Sequence, residues 1–187
     1  MNNKSKFQEI ANKYIKRDGI DNLLTWLEQT DFYDAPASTR FHNSFEGGLC
    51  LHSLNVWTNL CKLLHPFNEI QTNAETAAII TLFHDLCKVN MYKVEMRNVK
   101  ENNVWVQKPY YTVDEEFPFG GHGAKSVYLI QKHMKLTDEE AVAIMNHMGN
   151  EDGKYTVFSS YEKYPIAWLL HVADEAATVL DEKRGEK

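Results

Sequence analysis

Apolar residues return at helical spacing through most of this chain, and one stretch breaks the rhythm. Phe7, Ile10, Ala11, Tyr14 and Ile15 fall on one helical face; Gly19 interrupts it, and Ile20, Leu23, Leu24 and Leu27 resume it. The segment from Asp31 to Glu46, with Pro36 inside it and Gly47-Gly48 closing it, reads as a loop. A third helix follows across Leu49, Leu51, Leu54, Val56, Leu60 and Leu63, with His52 in its early turns. Thr72 and Glu75 have the spacing of a capping box. They predict a fourth helix that carries Ala77, Ala78, Ile79, Ile80, Leu82 and Phe83 and brings His84 and Asp85 to its C-terminal end.

From Met91 to Val99 and from Val104 to Val113 the rhythm changes to alternation, which predicts a β-hairpin turning at Asn102-Asn103. After Pro118-Phe-Gly-Gly-His-Gly123 helical spacing returns through Val127, Ile130 and Met134. A second capping box, Thr137 with Glu140, opens a helix that reaches His147 and stops at Gly149. Asn150 to Ser160 reads as a polar loop. Pro165 then suits the first turn of a last helix through Ala167, Leu170, Val172, Ala173, Ala176 and Val179. The expected fold class is all-α, a helical bundle with a small β-hairpin insertion around residues 91–113. One domain is expected over residues 1–187, as a helical N-terminal extension (1–39) and a core from about 40 to 182.

Composition narrows the classes. Hydrophobic residues make up 43% and charged residues 25% of the 187, an ordinary globular balance. The apolar runs fall short of a membrane span and no leader segment opens the sequence, so a soluble, cytoplasmic protein without a membrane partner is expected. Cys50, Cys61 and Cys87 lack paired spacing and read as buried free thiols of a reducing compartment. A net charge of −6 speaks against a broad duplex nucleic-acid surface and favours a small anionic substrate. Oligomeric state is left open, a homo-oligomer included.

Six polar positions sit in or beside apolar helical text: His52, His84, Asp85, His122, His147 and Asp174. Burying an unpaired imidazole or carboxylate costs kilocalories, and a shared metal satisfies several at once. Successive steps between them are about one helix plus a connection, so helices of a bundle can each aim a ligand at a common centre. Imidazole with carboxylate suits manganese, iron, cobalt, nickel or zinc, and six ligands are enough for two ions. Each residue also has an ordinary reading: His52 or His147 as a hydrogen-bonded helix histidine, Asp174 as a solvated position for which Glu175 competes.

The text Gly47-Gly-Leu-Cys-Leu-His-Ser-Leu-Asn-Val56, then Leu82-Phe-His-Asp-Leu-Cys-Lys-Val89, then Leu169-Leu-His-Val-Ala-Asp174 resembles the HD superfamily of metal-dependent phosphohydrolases. The resemblance covers roughly residues 40 to 180. It implies that His52, His84, Asp85 and Asp174 hold a first divalent ion, with His122 and His147 as the additional histidines of the binuclear branch and Asp85 bridging. Iron, manganese, nickel, cobalt, zinc and magnesium are not told apart. It further implies a phosphohydrolase that cuts a nucleotide or another small phosphoester through a metal-activated water, with Asp85 and Lys88 as catalytic residues. Two alternatives stay open: a nuclease or cyclic-dinucleotide phosphodiesterase, and a metal-dependent nucleotide-sensing domain without catalysis. Cys87 stands where the motif commonly has glycine, and the hairpin has no assigned counterpart.

Candidate groups for the phosphate are Lys88, three residues past Asp85, Arg40 and His42 at the mouth, and Lys125 one turn beyond the glycines around His122. Their ordinary readings are a helix-end lysine, a loop charge and a surface lysine. Tyr92, Trp105, Tyr110 and Tyr111 offer stacking surface beside Lys93 and Arg97, or cross-strand packing alone. His171 reads as a support or core residue, and His65 and His133 as surface residues.

Overall fold

The computed structural model describes residues 2–114, 119–150 and 156–182. Helices α1 (Asn3–Tyr14), α2 (Ile20–Leu27), α3 (Gly48–Leu63) and α4 (Ala74–Phe83) precede an antiparallel hairpin of β1 (Tyr92–Glu101) and β2 (Val104–Val113). Helices α5 (His122–Gln131), α6 (Asp138–Met145), α7 (Thr156–Lys163) and α8 (Pro165–Ala176) follow. The fold is all-α apart from that hairpin, as the periodicity predicts.

Helix α4 is the axis of the bundle. Every residue from Thr76 to Phe83 is buried, the outcome for a helix that is apolar all round. Helices α1, α3 and α6 pack on it, and α3 packs in turn on α8. One hydrophobic cluster runs from Phe7 in α1 to Ala177 just after α8. The Phe7 ring meets those of Phe32 and Phe83 edge-on at 5.0 and 5.7 Å. Among the described residues no helix is long and apolar enough to cross a membrane.

The caps differ from expectation at one of two places. Thr137 and Glu140 form the predicted capping box of α6. At α4 the cap is Asn73, whose side chain accepts from Thr76 N–H at 2.8 Å, and not Thr72. Glu75 is drawn off by the Arg17 guanidinium and the Lys16 backbone N–H. Arg17 also grips the buried Glu140 carboxylate, which accepts from Thr76 Oγ1 as well. One guanidinium thereby ties the α1–α2 turn to the starts of α4 and α6.

Helix α6 ends at Met145, so His147 lies just beyond it, capped by Asn146. Within the predicted polar loop, residues 151–155 lie outside the described residues, and α7 occupies its second half. Tertiary packing makes that helix out of polar text: Val157 is buried and Tyr161 rests against the core. The last helix widens into a π-helical turn over Ala177–Asp181 that leaves Val179 exposed. Cys50 and Cys87 are buried, whereas Cys61, on the outer face of α3, is exposed, contrary to expectation.

In the hairpin, Glu101 pairs with Val104 across Asn102 and Asn103, whose φ values of 49° and 65° are those of a type I′ turn. Cross-strand pairing sets Tyr92, Val94 and Met96 beside Val113, Tyr111 and Pro109 on one face. Tyr92 anchors the base of the ribbon by donating its hydroxyl to Ala37 C=O at 3.4 Å, in the loop before α3.

Candidate metal centre

His84 is the C-cap of α4, still at a helical φ of −56°, and Asp85 turns away at φ −104° and ψ 21°. Neighbours in the chain, the two side chains therefore reach the same space from different directions. His52 arrives from α3, His147 from the turn after α6 and Asp174 from the last turn of α8. His52, His84, Asp85 and His147 are buried, and Asp174 half-buried. His52 Nε2 lies 3.2 Å from His84 Nε2, 3.1 Å from Asp174 Oδ1 and 3.5 Å from Asp85 Oδ2. His84 Nε2 is 3.5 Å from Asp85 Oδ2, and His147 Nε2 is 3.5 Å from Asp85 Oδ1. The two Asp85 oxygens thus face different partners.

The outer nitrogens decide what the inner ones offer. His84 Nδ1 lies 2.9 Å from Thr81 C=O and His147 Nδ1 2.7 Å from Ile144 C=O. A carbonyl only accepts, so each Nδ1 carries the hydrogen and each Nε2 turns a lone pair inward. His52 Nδ1 faces the Glu182 carboxylate at 2.9 Å, with the same result for its neutral ring. With the three rings neutral, as a bound cation requires, three imidazole lone pairs and two carboxylates converge on one space. His147 Nε2 is buried there, and among the described residues it has no partner within a well-formed hydrogen bond.

Electrostatics follow from that crowding. Burial by itself opposes a charged His52, yet hydrogen bonds to Asp174 and Glu182 push it up to about 10. Burial pushes His84 down to about 4. Asp85 resists the upward push of burial and is held well below the usual carboxylate range by the Lys88 ammonium and the imidazoles. Hydrogen bonding to His52 holds Asp174 low in the same way. The carboxylates draw positive charge to His52 and, through Asp85, to His147, while His84 stays neutral; a divalent cation would supply that charge to all three rings at once. Donors bound at about 2.1 Å to one ion and at right angles stand about 3 Å apart. The separations of 3.1 to 3.5 Å fit that requirement closely.

Three groups bring their donor atoms within 4.8 Å of one another: His52 with His84 and Asp85, His84 with His147 and Asp174, and His42 with His52 and Glu182. Five of the six sequence-predicted ligands lie in the first two. His122, at the start of α5, is in none of the three among the described residues; its Nδ1 meets Cys87 Sγ at 3.4 Å. Cys87 in turn lies 3.8 Å from Asp85 Oδ1, so the thiol stands between His122 and the centre. Gly123 beside it is a packing glycine, since a Cβ there would come within 2.5 Å of Ile144 and Met145 carbonyls.

Lys88 belongs to a 3-10 turn, Leu86–Lys88, and is buried with its ammonium 2.6 Å from Asp85 Oδ2. It is not the solvated helix-end lysine of the ordinary reading. The His42 ring lies tilted at 44° against that of His52 with centroids 4.9 Å apart, and burial pushes His42 down to about 4. Arg40 is exposed, its guanidinium over the Phe41 ring. Lys125 is buried at 5% exposure in the first turns of α5, which removes its surface reading. His171 supports the centre, its Nδ1 2.8 Å from His147 C=O. His133 stacks on Trp26 and is half-buried, while His65 is exposed as expected. Glu175 is exposed and leaves the inner position to Asp174.

Glu182 is the residue that sequence reasoning missed. It follows the last helix in charged text that reads as a solvated end. Only the wide turn over Ala177–Asp181 brings it back onto α3, where it accepts from Asn55 Nδ2 at 3.1 Å.

The HD domain family model matches residues 51–181, a span that contains all six sequence-predicted ligands. No curated protein and no solved structure matches the chain.

Proposed function

We propose hydrolysis of a small phosphoester, foremost a nucleotide, as the function of this chain, which belongs to the HD domain family of metal-dependent phosphohydrolases. The observation that carries the reading is the convergence of the His52, His84 and His147 Nε2 atoms on Asp85 and Asp174, with His147 Nε2 buried and no nearer to Asp85 Oδ1 than 3.5 Å. His52, His84, Asp85 and Asp174 would hold a first divalent ion. Asp85, with one oxygen toward His52 and His84 and the other toward His147, is suited to share a second ion with His147, and His122 would join it by displacing the Cys87 contact. When bound, such ions supply Lewis acidity toward the phosphoryl oxygens and lower the pKa of water.

The remaining work falls to the protein's own groups. Lys88 neutralises Asp85 and carries further N–H donors that would bind a phosphate oxygen. The carbonyls of Thr81 and Ile144 and the Glu182 carboxylate keep the three rings in one tautomer and orientation. Arg40 and His42 would serve the substrate from the rim, and Lys125, buried in the first turns of α5, from within. We place the protein in the cytoplasm, a reading that its free cysteines support.

The test is to purify the protein and quantify its metals. It is then screened on nucleoside mono-, di- and triphosphates, cyclic dinucleotides and short oligonucleotides. Turnover of at least one nucleotide is expected, lost together with bound metal in Asp85→Ala. Metal bound without turnover of any phosphoester would overturn the proposal in favour of a binding domain.

A further inference from the structure

We infer that the cavity between the hairpin and the loop before α3 is the subsite that takes the nucleotide portion of the substrate, its arginines binding phosphate and its rings the base. This deepens the proposed function and rests on it. The cavity measures about 720 Å³, within the range of small-molecule sites. Arg40, Phe45 and Glu46 line one wall and Arg97, Tyr110 and Tyr111 the other. None of the candidate metal ligands lines it.

Arginine placement is the first argument. The chain has four arginines, Arg17, Arg40, Arg97 and Arg184. Arg17 is committed to Glu75 and Glu140, Arg184 lies outside the described residues, and both others line this one cavity. In a protein of net charge −6 that is a local reversal of sign. Each guanidinium lies over a ring, Arg40 at 5.0 Å from the Phe41 centroid and Arg97 at 5.3 Å from that of Tyr110. A guanidinium held over a ring in this way, where its plane lies along the ring, keeps edge N–H groups for bidentate phosphate binding.

A second argument is that the loop wall exists before any ligand arrives. Ser38 Oγ accepts from the Phe41 and His42 N–H groups, both at 2.9 Å, and donates to His42 C=O at 2.8 Å. Asn43 C=O accepts from Ala37 N–H at 3.1 Å and Phe45 N–H at 2.8 Å. A wall so tied loses little entropy on binding.

Position supplies the third. His42 stands in the same loop between Arg40 and Phe45, and its ring touches that of His52 in the centre, with centroids 4.9 Å apart. Two residues of chain reach at most about 7 Å, the scale of one nucleotide unit. A phosphoester cut at the centre can therefore extend along the loop into the cavity. A phosphate alone has no use for the tyrosines and an apolar ligand none for the arginines; a nucleotide uses both, and Glu46 would accept from its hydroxyl or amino groups.

The experiment is calorimetric titration of the 187-residue chain with the four common ribonucleoside triphosphates and with inorganic tripolyphosphate. It compares wild type, Arg97→Ala, Arg40→Ala and Asp85→Ala, after thermal unfolding has shown that each is folded. At least one nucleotide should bind wild type ten times or more tighter than tripolyphosphate, and Arg97→Ala and Arg40→Ala should each weaken it tenfold or more. Asp85→Ala should still bind it, which separates this subsite from the centre. Binding equal to wild type in both arginine variants, or no nucleotide binding at all, overturns the inference. Absence of turnover with nucleotide binding retained would instead remove the hydrolase reading and leave the subsite standing.

Discussion

His52 Nδ1 and Glu182 Oε1 meet at 2.9 Å although 130 positions separate them in the chain. Because Glu182 also accepts from Asn55, the end of the last helix is fastened to α3 at two points one turn apart. The bond fixes the orientation of the His52 ring and raises the basicity of the nitrogen it turns inward, as outer carboxylates do for metal-bound imidazoles.

Glu182→Ala is expected to lower metal affinity by about 10- to 100-fold. Glu182→Gln, which keeps an acceptor opposite Nδ1, should lose less. Competition titration with cobalt or zinc measures both, and an unchanged affinity in Glu182→Ala would show that His52 needs no such support.

Lys88 has a different expected signature. Its ammonium competes for the Asp85 oxygen that faces His52 and His84, so Lys88→Ala should retain bound metal in full. The loss should appear as a KM raised about tenfold for the phosphoester, the size of one charge-assisted hydrogen bond. Loss of metal from Lys88→Ala would mean that the lysine holds the centre together instead.

The Arg17 bridge sets an acid limit to stability. Burial by itself would raise the Glu140 carboxyl, but hydrogen bonds from Arg17, the Thr137 backbone and Thr76 hold it below its ordinary 4.5. The folded chain then binds that proton more weakly than the unfolded chain. Its contribution is fully present above about pH 4.5 and is lost as pH falls through the depressed folded value. Thermal unfolding followed from neutral pH down to about 3 should show Glu140→Gln less stable at neutrality and with a shallower acid slope. Arg17→Ala, which strands the buried carboxylate, should cost about 3 kcal/mol.

Gly149 is held at φ +69°, and a Cβ on it would lie 2.7 Å from the His171 ring. Gly149→Ala should destabilise the fold by about 1–2 kcal/mol through the left-handed backbone alone. By displacing His171, which holds the turn of His147, it should also weaken metal binding. Denaturant unfolding and metal content read the two effects separately; normal values for both would place this turn outside the centre's support.

Much of the fold was legible along the chain because its signals are local. The all-round apolar text of α4, the Thr137–Glu140 capping box and the Asn-Asn turn of the hairpin each act within a few residues. Asn73 displaced Thr72 as a cap because Glu75 was engaged by Arg17, fifty-eight positions away. Helix α7 was not legible because its polar text folds only against a core built elsewhere.

The candidate centre divides along the same line. The sequence alone determined which residue types stand one per helix in buried text, and His52, His84, Asp85, His147 and Asp174 do converge. Tertiary structure alone decided which nitrogen of each ring turns inward, because that depends on the carbonyl or carboxylate behind it. It also placed Cys87 between His122 and Asp85, paired Lys88 with Asp85 and folded Glu182 back onto His52. Hydrogen-bond partners far apart in the chain follow no period, so only the packed bundle selects them.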